Sequence, residues 1–251
     1  MSEQKFSLPT EIVKLPSKGL VYPKENPLSS GEIEMKYMTA REEDILTNSN
    51  YIQQGIVFDK LFQSMIVSKI NYEDLIAGDR DAIMIASRIL GYGKNYPIKY
   101  KHPVTDVPEE VVIDLSSLKD KEVDFSLFNN NNEFRFVLPN TNNEVTFRIL
   151  TQKDELDIEK EVKSLKKLNI SNDITVKLKT QITSVNGNSD KKFIRDFIDN
   201  GLLASDSIEL RKYIKEVSPG IDFSFTFVGS DGYVEEGVSL PIDVSFFYPK
   251  L

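Results

Sequence analysis

The chain holds no cysteine and a single histidine, His102, among its 251 residues. That excludes disulfides, thiol catalysis, Cys-ligated zinc, iron–sulfur clusters and every site built on a histidine pair. No apolar run approaches the roughly 18 residues needed to cross a bilayer, so no membrane partner is expected. The opening MSEQKFSLPTE lacks the apolar core of a signal peptide. The expected place of action is the cytoplasm, or a particle assembled there. Basic charge is also short: 31 Lys and Arg face 39 Asp and Glu, for a net charge of −8. No global positive field draws a phosphate backbone, which argues against nucleic acid as a partner. The one notable basic cluster, Lys163, Lys166 and Lys167, reads as the solvated face of a helix.

Apolar residues make up 40% of the chain, with fifteen Phe and ten Tyr, enough buried surface to offset chain entropy. The first 30 residues carry Pro9, Pro16, Pro23 and Pro27, which hold the backbone extended. This arm has too many apolar residues, Ile12, Val13, Leu15, Leu20, Val21 and Tyr22 among them, to be a solvated tail. It is expected to lie on a surface, either its own domain's or a partner's.

From Glu32 to Met38 strict alternation predicts a half-buried strand, and Thr39-Ala40-Arg41-Glu42 has the form of a capping box opening a helix to about Leu46. A second helix is predicted over Val57–Val67, with Phe58, Leu61, Phe62 and Met65 on one stripe. A third is predicted after Asp79 as its cap, over Asp81–Leu90, stopped by Gly91 and Gly93. Ile98 and Tyr100 then pair with Val111, Ile113 and Leu115 in a hairpin.

A second hairpin sets Phe134, Phe136 and Leu138 against Val145, Phe147 and Ile149, and Thr151 opens a helix through Ile158, Val162, Leu165 and Leu168. Asp173 is expected to cap a helix running through Ile174, Leu178, Ile182 and Val185, followed by another around Phe193, Ile194 and Phe197. Asp206 caps a helix through Leu210, Tyr213, Ile214 and Val217. Alternation over Ile221–Phe227 and again through Val238, Leu240, Ile242, Val244 and Phe246 predicts a closing hairpin around Gly229–Gly232.

The fold class expected is α+β in two similar halves, each a strand plus short helices followed by an antiparallel β-hairpin, compatible with an ancient duplication. The expected units are an arm at 1–30, a first half at 31–118 and a second at 119–251 with an extra hairpin at 133–149.

No catalytic arrangement emerges. His102 has no Ser or Cys at a triad spacing, and its Lys101-His102-Pro103 setting reads as an exposed turn, not a metal site with Asp106. Asp79, Arg80 and Asp81, like Glu42, Glu43 and Asp44, could serve acid/base or metal chemistry, but acidic residues also belong at helix starts. Ser230-Asp231-Gly232 is a hairpin turn, not a calcium loop. No cofactor or metal is therefore expected. The remaining features suit binding: Leu15, Leu20, Val21 and Tyr22 in the arm, and Phe247 and Tyr248 near the end, are the expected partner-binding residues. A homo-oligomer is compatible with the same features.

The phrases Leu15-Pro16-Ser17-Lys18-Gly19-Leu20-Val21-Tyr22-Pro23, Met38-Thr39 through Asn48, Gly78-Asp79-Arg80, Ala204-Ser205-Asp206-Ser207, Pro219-Gly220-Ile221-Asp222 and Phe246-Phe247-Tyr248-Pro249 resemble T-even-type phage baseplate hub and hub-assembly proteins. The resemblance implies a non-enzymatic role in forming or completing the hub of a contractile tail, among other tail or hub proteins, in the infected bacterium or the virion baseplate. It also implies relatives with cysteine pairs at two hairpin tips. Here those tips, Lys101–Pro108 and Val228–Val234, have none, so the expectation is that packing alone holds them. The competing expectations are a nucleic-acid-associated adaptor using the Lys163 face, and a metal-dependent hydrolase using Asp79 and Asp81.

Overall fold

A computed structural model describes residues 8–167, 172–242 and 244–248. Leu168, Pro249 and the first seven residues of the arm lie outside them. Alternation produces the first hairpin: β1 (Thr10–Lys14) pairs antiparallel with β2 (Glu32–Lys36), turning Ile33 and Met35 inward. The arm is therefore part of a sheet, and a 3-10 turn at Pro27–Ser30 closes it. Thr39 and Glu42 form the expected capping box at the start of α1 (Ala40–Leu46). A short α2 (Ser49–Gln54), capped by Asn48, was not apparent from periodicity because it buries no side chain. Helix α3 (Val57–Met65) follows the predicted stripe.

Helix α4 (Ala77–Tyr92) begins two residues before Asp79 and runs through Gly91 to Gly93. Asp79 is thus not the cap; its carboxylate is turned into the protein. The expected hairpin, β3 (Asn95–Lys101) with β4 (Pro108–Asp114), ends the first half; Ile98 faces Val111, but Tyr100 faces Glu109 and Leu115 lies past β4 in a 3-10 turn. Strand β5 (Lys119–Asp120) crosses to the far end of the chain. The second half opens with β6 (Phe134–Val137) and β7 (Glu144–Phe147), then α5 (Gln152–Lys166), again with a capping box at Thr151 and Asp154.

The predicted helix through Val185 is cut short. Helix α6 (Asp173–Gln181) stops, and Ile182–Val185 form β8, the third strand beside β7. Ile182 and Val185 fall four and seven residues after Leu178, so helical spacing hides a strand whose partner is distant in sequence. A short α7 (Lys191–Asp196) continues as a π turn to Gly201, and α8 (Ala204–Val217) starts before Asp206, which is not its cap either. Strand β9 (Ile221–Asp222) pairs with β5, and β10 (Ser224–Val228) pairs with β11 (Val234–Ser239). The return strand ends at Ser239; Phe246 lies in a 3-10 turn.

Several local devices occur twice. The first strand of each opening hairpin leads into Leu-Pro, at Leu15-Pro16 and at Leu138-Pro139. A cation ending the second strand meets the capping-box acid: Lys36 to Glu42 at 2.8 Å, Arg148 to Asp154 at 2.5 Å. The chain after α3 bridges back to Met35 through Ile66, as Ile182 after α6 pairs with Phe147. The third residues of α4 and α8, Asp79 and Asp206, are both fully buried. One hydrophobic core runs through both halves.

Candidate docking surface

The buried Asp79 organises the arm. Its carboxylate accepts from the Ser17 backbone N–H at 2.9 Å, the Ser17 hydroxyl at 2.7 Å and the Tyr22 hydroxyl at 2.5 Å. Tyr22 in turn accepts from the Ile76 N–H. Burial raises the Asp79 carboxyl above its usual range, and burial together with the Asp79 charge pushes the Tyr22 phenol well up. Asp206 does the equivalent task in the second half, accepting from the backbone and side chains of Asn140 and Thr141.

Leu15, Val21 and Tyr22 are consequently buried against the chain's own residues, and the alternative left open by the sequence resolves towards self-docking of the arm. Phe247 is buried too, with its ring centroid 5.1 Å from that of Phe58 and 6.0 Å from that of Phe62. Leu20 and Tyr248 are half-buried, and the Tyr248 hydroxyl donates to the Leu46 carbonyl. The six residues singled out from sequence therefore offer little free surface in this fold, because their apolar bulk is spent on the core.

The hairpins β3–β4 and β10–β11 are joined to each other at their tips. His102, expected in an exposed turn, is 1% exposed. Its Nδ1 accepts from the N–H groups of Val104 and Thr105 at 3.2 and 3.3 Å, which places the neutral ring's proton on Nε2, facing Asp231 Oδ1 at 3.3 Å. The Phe227 and Tyr233 rings flank the imidazole. Gly229 permits this approach, since a Cβ there would meet His102 Nε2 at 2.9 Å. Glu109 accepts from the Ser230 N–H and hydroxyl, and Tyr100 donates to Glu235. The tips are thus clasped by polar contacts as well as packing, which corrects the expectation of packing alone. Around the clasp Val104, Val107, Val228 and Val234 are 73%, 56%, 62% and 55% exposed. Sequence reasoning missed these valines; the only signal was their placement beside turn residues.

The acidic groups are engaged in structure. Arg80 bridges Asp59 at 3.1 Å and Glu155 at 3.0 Å, tying α3 and α4 to α5. Burial would raise the Glu42 carboxyl, but donors from Lys36, Ser64 and Thr39 outweigh it and hold the group at about 2. Asp81 goes the other way: burial lifts it to about 6 despite Lys121 and Arg80 nearby. Its folded-state value lies above its unfolded one, so its stabilising share is complete below about pH 4 and is lost as pH rises through about 6. Asp81→Asn should therefore stabilise the protein at pH 8 by on the order of 1–2 kcal/mol, discounted for the partial exposure of the carboxylate. The gain should shrink towards pH 4, and paired thermal melts at the two pH values would show it. An equal change at both would refute this reading of Asp81.

Among the described residues no group of three or more His, Cys, Asp or Glu is arranged to hold a metal ion, and no helix is long and apolar enough to cross a membrane. Lys163 and Lys166 are paired with Glu159 and Asp173.

No curated protein and no solved structure matched the chain. The family described as T4 bacteriophage base plate protein matches residues 10–230, an interval that runs from the first residue of β1 through the β3–β4 hairpin and β10 into the Gly229–Gly232 turn, short of β11. With most of its length matched in this way, the chain belongs to the T4-type phage baseplate protein family.

Proposed function

We propose that the protein acts without catalysis, as a component of the baseplate hub of a contractile tail or as a factor that assembles the hub, through protein–protein contacts. The observation that carries this reading is the clasped pair of hairpin tips. Two hairpin tips held together around a buried histidine, with four exposed valines near it, present apolar surface on a backbone already ordered by these contacts, which favours association. The family match supplies the setting.

Two tests bear on it. Mass spectrometry of purified particles should find the protein at a small fixed copy number if it is a hub component. If it is an assembly factor, affinity capture from the infected-cell lysate should recover hub or tape-measure proteins while the particle lacks it. Absence from both would end the proposal. A Val104→Glu, Val228→Glu variant with an unchanged melt should lose capture by about tenfold or more, since charge placed at the centre of an apolar contact must be desolvated. Undiminished capture would move the contact away from the tips.

The same reading takes 31–118, with the arm at 1–30 docked on it, and 119–251 as units of a duplication, with the hairpin at 133–149 as counterpart of β1 and β2. The paired capping boxes, strand-end cations and buried aspartates support it.

A further inference from the structure

The second half contains a concavity lined by basic side chains. It lies between the end of α6, strand β8 and helix α7, with a volume of about 450 Å³. Four cations line it, Arg148, Lys179, Lys191 and Arg195, together with Thr183 and Ser189 and no acidic residue. Arg148 and Lys179 are anchored from behind by Asp154 and Asp199. Lys191 and Arg195 are exposed, and neither has an ion-pair partner among the described residues. Their spacing of four puts both on one face of α7, with the buried Ile194 beside them.

On a chain of net charge −8, the hollow keeps an excess of positive charge: Asp154 and Asp199 pair with Arg148 and Lys179, while Lys191 and Arg195 add two further cations. The first two cations are fixed by their partners, so an entering anion meets a preorganised pair of donors and gives the two unpaired cations a counter-charge. Helix α7 makes the difference between halves: Lys36, which stands where Arg148 stands in the second half, pairs with Glu42 but has no such helix beside it.

We propose that this hollow is a receptor for carboxylate side chains of an acidic segment on a partner protein. A volume of this order suits a few side chains and not an extended backbone track. A nucleic acid would also have to approach an acidic surface with its charges spread along a strand, whereas these cations are gathered at one point. The inference rests on the baseplate reading only for the source of the segment; the selectivity of the hollow can be tested with no phage protein present.

The test uses the full chain and a fluorescein-labelled hexaglutamate peptide at low ionic strength, read by anisotropy. Inorganic phosphate and an unlabelled single-stranded oligonucleotide serve as competitors. The wild type should bind the peptide, Lys191→Glu with Arg195→Glu should weaken binding at least about tenfold, and Lys192→Glu, outside the lining, should change it less. The milder pair Lys191→Ala and Arg195→Ala should fall between if the charge reversals disturb folding. No peptide binding by the wild type, or equal loss in Lys192→Glu, overturns the proposal. So does an oligonucleotide that displaces the peptide more effectively than unlabelled hexaglutamate does, which would make the hollow a phosphate site.

Discussion

Removal of residues 1–30 should leave no cooperatively folded protein. The segment supplies β1, the antiparallel partner of β2 along five residue pairs. It also supplies Leu15, Val21, Tyr22 and Leu28, each no more than 4% exposed. Burial of each such side chain is worth about 1.5–3 kcal/mol, so these four alone rival the few to fifteen kcal/mol by which a domain of ordinary size is stable. Deletion also strips Asp79 of the two Ser17 donors and the Tyr22 hydroxyl, leaving a carboxylate at the start of α4 with no replacement for three hydrogen bonds. Circular dichroism melts should show loss of the cooperative transition. A truncated chain that melts within a few degrees of the full one would mean that the arm is peripheral, and would return Leu15, Val21 and Tyr22 to the list of partner contacts.

That the arm needed a surface was legible from its apolar content; whose surface was not, because the answer depends on Asp79, 62 residues beyond Ser17. The hairpins β3–β4, β6–β7 and β10–β11, the capping box at Thr39 and the helix start at Thr151 were legible because their signals are local: alternation of period two, turn residues between, and a hydroxyl three residues before an acid. Asp79 and Asp206 failed as caps for the opposite reason. An acid near a helix start satisfies either the helix's own donors or a loop elsewhere, and residue type is the same in both cases. His102 failed likewise. Flanked by Lys101 and Pro103, it has the composition of an exposed turn, and only Asp231, Phe227 and Tyr233 at the other end of the chain bury it. The basic hollow joins Arg148, just past β7, to cations spaced between the end of α6 and α7, where intervening residues separate them and no run of like charge marks them, whereas the conspicuous Lys163 cluster is on α5 and largely paired.

Gly78→Ala should be the most damaging single exchange of this size in α4. Helix propensity alone favours alanine over glycine by about 1 kcal/mol, so an isolated helix would gain from it. In the protein a Cβ at Gly78 would stand 1.9 Å from the Pro219 carbonyl oxygen and 2.6 Å from its carbon. Both are backbone atoms, held by the Lys121 N–H to Gly220 bond at 2.8 Å and by the pairing of β5 with β9, so neither can swing aside as a side chain does. The helix must back away from the seam that joins the halves, and overpacking against backbone costs about 3 kcal/mol or more, roughly 10 °C in melting temperature for a chain of this length. Gly91, in the same helix, is the control: its Cβ would meet only the end of the Met38 side chain at 2.8 Å, which can turn away, so Gly91→Ala should be nearly neutral. Equal melting of the two variants would mean that α4 and the Pro219-Gly220 turn are not in backbone contact. The seam between the halves would then rest on the Ile76–Thr151 bridge, with its Gln152 N–H to Leu75 carbonyl bond at 2.8 Å, and on the ion pair of Arg80 with Glu155.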